Sequence, residues 1–228
     1  MHDGTGKKMA ERPIRIAVDR AVLDGDLAIP AGARGLVVFV HGSGSSRFSS
    51  RNRFVAQHLQ REGMATLLFD LLTRQEEESD NFTGRLRFDI ELLAGRLAGV
   101  TQWALAQEEI GELPMGYFGA STGAAAALIA ETRNPAAVRA IVSRGGRPDL
   151  AGQALSRVQA PTLLIVGGND DQVVLLNEQA FHQLQAKKRM VIVPGATHLF
   201  EEPGTLEAAA QLAAKWFRQY LASEGGVV

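Results

Sequence analysis

Apolar residues along this chain follow two rhythms. Short blocks rich in Val, Ile, Leu and Phe alternate with longer stretches whose apolar positions recur at helical spacing. That alternation marks a βαβ protein with a largely parallel sheet. The short blocks predict strands at Ile14–Val18, Asp26–Ile29, Leu36–Val40, Ala65–Phe69, Met115–Phe118, Ala140–Ser143, Thr162–Val166 and Met190–Val193. The first two precede any helical stretch and lie close together, so they read as an antiparallel pair. A parallel crossover would need about a dozen residues or more between them.

Helices are expected between the later strands. Asn52–Arg61 carries Phe54, Val55 and Leu59 on one side, and Leu86–Ala106 repeats Phe88, Leu92, Leu93, Leu97, Val100 and Leu105. Ser121–Thr132 is almost wholly apolar, as suits a helix packed deep against a sheet. Val174–Gln185 and Leu206–Leu221 complete the set. The acidic stretch Thr73–Arg85 reads as a solvent-facing loop. With no insertion long enough for a large cap domain, any lid is expected to be built from loops.

Composition narrows the partners. Lys and Arg number 24 against 25 Asp and Glu, a net charge of -1. A nucleic-acid binder needs a basic surface, so none is expected as a partner. Cysteine is absent, which excludes disulfides, a thiolate zinc site and a cysteine nucleophile. The longest apolar runs are strand-sized, well short of the roughly 20 residues that span a bilayer, so no membrane partner is expected. The start, MHDGTGKKMAERP, is polar and lacks an apolar signal core. Residues 1–12 read as a disordered lead-in, with Met9 a second candidate start, before one domain over 13–224 in a cytoplasmic enzyme. A monomer and a homodimer are equally compatible with the sequence.

The chemistry concentrates in three loops. Gly119-Ala120-Ser121-Thr122-Gly123 matches G-x-S-x-G between an expected strand and an expected helix. A sharp turn there lifts the Ser121 hydroxyl above the sheet, and small residues two before and two after permit the tight approach. The bland alternative is a strand-to-helix turn whose serine merely caps the helix. A serine hydroxyl becomes a nucleophile when an imidazole takes its proton and a carboxylate fixes that imidazole. Of the five histidines, His198 lies just past the last strand, where such sheets hold their sites, whereas His58 and His182 fall inside helices and His2 in the lead-in. The acid should come from Gly167-Gly168-Asn169-Asp170-Asp171; Asp170 sits at the turn and is preferred, with Asp171 the alternative. The order Ser121, Asp170, His198 is that of α/β-hydrolases. The third loop, His41-Gly42-Ser43-Gly44-Ser45-Ser46, suits an oxyanion hole in which the Ser43 and Thr122 amides point at developing negative charge, with His41 holding the loop. It matches neither phosphate-loop pattern.

These segments, with FDLLT (69–73), LLIVGGNDDQVV (163–174) and VPGATHLFEEPG (193–204), resemble the dienelactone-hydrolase-like family of α/β-hydrolases over nearly the whole chain from about Leu23. The resemblance implies an α/β fold with an eight-stranded, mostly parallel sheet, helices on both faces, no large cap, and hydrolysis of a small carboxylic ester or lactone without a cofactor or metal. It supports Ser121, Asp170 and His198. One departure matters: dienelactone hydrolase itself uses a cysteine nucleophile, so the resemblance concerns fold and acyl chemistry rather than that substrate.

Arginines flank the loops. Arg47 or Arg144, turned inward, could pair with a substrate carboxylate; the plainer expectation for these arginines is surface pairing with Asp149, Glu76–Glu78 or helix ends. The same triad would also serve thioester or amide hydrolysis or perhydrolysis, and a non-catalytic binding protein could retain the fold. An accessory role beside nucleotide metabolism finds no support in the composition.

Overall fold

The computed structural model describes residues 11–221. Eight strands form one sheet in the order β1-β2-β4-β3-β5-β6-β7-β8. They are β1 (Glu11–Val18), β2 (Ala21–Ala28), β3 (Leu36–Val40), β4 (Ala65–Phe69), β5 (Met115–Ala120), β6 (Val138–Arg144), β7 (Thr162–Gly167) and β8 (Lys188–Val193). β1 pairs β2 antiparallel and β2 pairs β4 antiparallel, while the pairs from β4 to β8 are parallel. The expected antiparallel start is therefore present, with two differences. β2 begins five residues before the expected Asp26, and β1 reaches back to Glu11, so Glu11 and Arg12 belong to the sheet. Residues 1–10 of the expected lead-in lie outside the described residues.

Strand side chains alternate between two buried faces. Leu36, Val38 and Val40 pack on one side of β3, Val37 and Phe39 on the other. A sheet covered on both faces needs such continuous apolar strands. The first face is covered by α3 (Ile90–Leu105) and α4 (Thr122–Arg133), with Ala180 of α5 (Asp171–Gln183). The second is covered by α1 (Ser50–Arg61) and α6 (Thr205–Leu221), through Val55, Leu59, Ala210, Ala214 and Phe217. α4 is buried almost throughout because its small alanines let it lie close to the sheet.

Thr73–Arg85 is not a loop. Arg74–Thr83 forms a helix, α2, opened by a capping box in which Thr73 Oγ1 accepts the Glu76 N–H (3.2 Å) and Glu76 accepts the Thr73 N–H (2.8 Å). Gly84 closes it with φ 63°. Asp80, buried, accepts from the Arg87 side chain (2.6 Å) and from the Leu86 and Arg87 amides (2.7 and 3.2 Å). Burial pushes the Asp80 carboxyl up, but the Arg87 side chain and these amides prevail and hold it at about 2. Among the described residues, no helix is long and apolar enough to cross a membrane.

Candidate active site

The loops of interest all leave the carboxyl edge of the sheet, where parallel strands open toward ligands. Ser121 follows β5, Arg144 ends β6, Asp170 follows β7, His198 lies beyond β8, and Ser43 follows β3. Ser121 adopts φ 50°, ψ -125°, a left-handed conformation that a side chain rarely takes. Such strain persists only where surroundings enforce it, and here they do. A Cβ on Gly119 would stand 2.5 Å from Ala124 Cα, and one on Gly123 would stand 2.2 Å from the Val40 carbonyl oxygen. The Ser121 carbonyl is tied by the Arg147 amide (3.0 Å). The strained strand-to-helix turn expected from the motif is thus present, and Ser121 makes no side-chain capping bond to α4.

His198 and Asp170 meet. Nδ1–H of His198 donates to Asp170 Oδ2 at 2.7 Å, which leaves Nε2 as the free ring nitrogen. Asp171 is exposed and begins α5, apart from this pair. Ser121 and His198 line one cleft of about 270 Å³, together with Gly42 and Ser43. They face it without a direct hydrogen bond, as is common before substrate tightens a site.

The Gly42–Ser46 loop lies against Ser121, for a Cβ on Gly42 would fall 2.9 Å from Ser121 Cβ. His41 anchors it as expected. Its Nε2 accepts the Leu71 N–H (3.1 Å) and its Nδ1 lies 2.9 Å from the Gly42 carbonyl, the pattern of a neutral Nδ1–H ring. Burial lowers the His41 pKa, in keeping with that form. One contact was not foreseen: the Ser43 N–H donates to Thr122 Oγ1 at 2.8 Å. The amide expected to face an oxyanion is engaged by the buried hydroxyl of Thr122, the other residue expected to supply an oxyanion amide.

The arginines divide. Arg47 does not enter the cleft; its guanidinium binds Asp70 and lies 3.6 Å from Asp26. Asp26 within β2 and Asp70 just past β4 hold it away from Ser121, unlike the inward placement the sequence left open. Arg147 forks onto Asp149 (2.9 and 2.8 Å). Arg144, by contrast, is 6% exposed and forms part of the cleft wall beside Ser121. Burial, with the Arg51 charge nearby, lowers its guanidinium to about 10. A second cavity, about 120 Å³, lies across the Gly-rich loop from Ser121, walled by Leu71, Leu72, Asp80 and Arg87 beneath α2. Glu77, Asp80 and Asn81 of α2, a segment that reads from sequence as a loop, form part of its wall. Among the described residues no group of three or more His, Cys, Asp or Glu is placed to hold a metal.

This arrangement, a strained serine above a mostly parallel sheet with an Asp–His pair at the same edge, defines an α/β-hydrolase fold. Residues 23–222 match the model of the dienelactone hydrolase family, and the chain belongs to that family. It is similar to the crystal structure of dienelactone hydrolase from Anabaena variabilis, at 58% identity and TM-score 0.92, covering 93% of this chain and 99% of that one. An esterase of Pyrococcus furiosus shares the fold at 16% identity and TM-score 0.73, over 93% of this chain and 92% of that one. A Mycobacterium tuberculosis protein named as a putative phosphoribosyl transferase is 53% identical over 217 residues, 95% of this chain and 48% of its own length. The chain thus spans about half the length of the curated relatives it matches first.

Proposed function

We propose that this chain is a serine hydrolase that cleaves a carboxylic ester or lactone of a small substrate through an acyl-enzyme. The observation that carries the reading is the 2.7 Å His198–Asp170 bond at the cleft that also holds the strained Ser121. In the proposed mechanism, His198 Nε2 takes the Ser121 proton as Oγ attacks the carbonyl, and Asp170 stabilises the imidazolium through Nδ1–H. The Thr122 and Ser43 amides receive the oxyanion. His198 then protonates the leaving alcohol, and water repeats the sequence on the acyl-enzyme. A cleft of about 270 Å³ suits compact substrates, since ligand pockets generally run from about 300 to 1,000 Å³. The transferase name of the mycobacterial relatives belongs to proteins about twice this length.

Titration with a fluorophosphonate tests the reading. Stoichiometric labelling of Ser121 with parallel loss of p-nitrophenyl acetate turnover is expected. A folded protein that is neither labelled nor active is a binding protein instead.

The Thr122 hydroxyl makes the mechanism specific. A substrate carbonyl must take the Ser43 N–H from Thr122 Oγ1, giving up a neutral hydrogen bond worth about 0.5–1.5 kcal/mol. Thr122→Val keeps the shape and removes the competitor, so kcat/KM for p-nitrophenyl acetate should rise by roughly two- to tenfold. A fall instead would show that the hydroxyl serves to hold the Ser43 loop.

A further inference from the structure

Arg144 carries a charge that the protein does not neutralise. Among the described residues no carboxylate lies within ion-pair distance of it, although the residue is only 6% exposed. Its Nε is buried without a hydrogen-bond partner. Its two terminal nitrogens reach only the Leu199 carbonyl and Asn52 Oδ1, each at 3.4 Å. The Phe200 ring, 5.6 Å away, adds a weak π contact. Burying a cation this way is costly unless something anionic meets it.

The surroundings reinforce the sign. α1 points its N-terminus at the same cleft, and its first turn holds Arg51 and no acid, reversing the usual preference for acids there. Arg51 Nε is also buried and unpartnered, while its outer nitrogen meets the exposed Glu201 at 3.2 Å. Ser45 and Ser49 add hydroxyls, and no Asp or Glu lines the cleft. Guanidinium groups, hydroxyls and a helix N-terminus converging from three chain segments match a tetrahedral oxyanion. The unpaired Arg144, the free Nε side of Arg51 and the helix dipole together suit a dianion better than a single carboxylate.

We propose that the substrate hydrolysed at Ser121 carries a phosphate monoester, held by Arg144 and Arg51 at the N-terminus of α1. The placement of the reacting ester rests on the acyl-transfer reading; the anion site itself does not.

The test is calorimetric titration of inorganic phosphate and of propionate into wild type, Ser121→Ala, Arg144→Gln and Arg51→Gln, each checked for a cooperative thermal transition. Wild type and Ser121→Ala should bind phosphate alike, Arg144→Gln at least about tenfold more weakly, and propionate about tenfold more weakly than phosphate on wild type. Arg51→Gln, at a partly exposed position, should also weaken phosphate and keeps the test open if Arg144→Gln fails to fold. Phosphate that does not bind wild type, or binds both variants as well as wild type, overturns the proposal; so does propionate binding as tightly as phosphate. Phosphate binding by a protein that fluorophosphonate cannot label supports the anion site while refuting the hydrolase reading. Labelling without phosphate binding does the reverse.

Discussion

Ser121→Ala should lose ester turnover almost completely, with kcat/KM for p-nitrophenyl acetate and butyrate falling by a factor on the order of 10⁴–10⁶. The fold should remain, because the variant keeps a Cβ on the same strained backbone and Ser121 Oγ makes no bond to α4. Some acceleration over water should persist, since the Ser43 and Thr122 amides and the cleft remain. Removing one member of a unit that acts together costs nearly as much as removing all, so the loss should match that of a Ser121→Ala/His198→Ala double variant. Side-by-side assays of wild type and variant check this. A variant keeping more than about a hundredth of the activity would place the nucleophile elsewhere.

Asp170→Asn is expected to lower kcat by roughly 10³–10⁴-fold, whereas Asp171→Asn should change it by less than about twofold. The two carboxylates are adjacent in sequence but not in role. Asp170 Oδ2 accepts from His198 Nδ1 at 2.7 Å, and an amide there would favour the wrong tautomer of the ring. Asp171 is exposed in the first turn of α5, where its charge supports the helix by about 0.3–1 kcal/mol. Its loss should appear as a small drop in melting temperature with activity kept. If instead Asp171→Asn were the inactive variant, the assignment of the acid would be exchanged.

The strands were legible because this sheet is covered on both faces, so its members read as unbroken apolar runs. The elbow was legible because its steric demands fall on neighbours in sequence, Gly119 and Gly123. α2 was not. Its polar composition hid a helix whose start was nonetheless written in Thr73 and Glu76, three residues apart as a capping box requires. Counting acids weighed the segment by charge; its ends carried the information. Two features of the site had no local trace at all. The Thr122 hydroxyl meets the Ser43 amide across 79 positions of chain. The isolation of Arg144 depends on what every other loop fails to bring near it, while Arg47, equally promising in sequence, is claimed by Asp26 of β2 and Asp70 just past β4.

The left-handed turn at position 121 has a bearing on which atom the position can carry. Contacts among Gly119, Ala124, Gly123 and Val40 set the backbone there, none of them through the serine oxygen. The position is thus a mounting point whose aim is independent of the atom it carries. A sulfur in place of the oxygen would inherit the same backbone mounting, so Ser121→Cys should leave the sheet and the helix behind it unchanged.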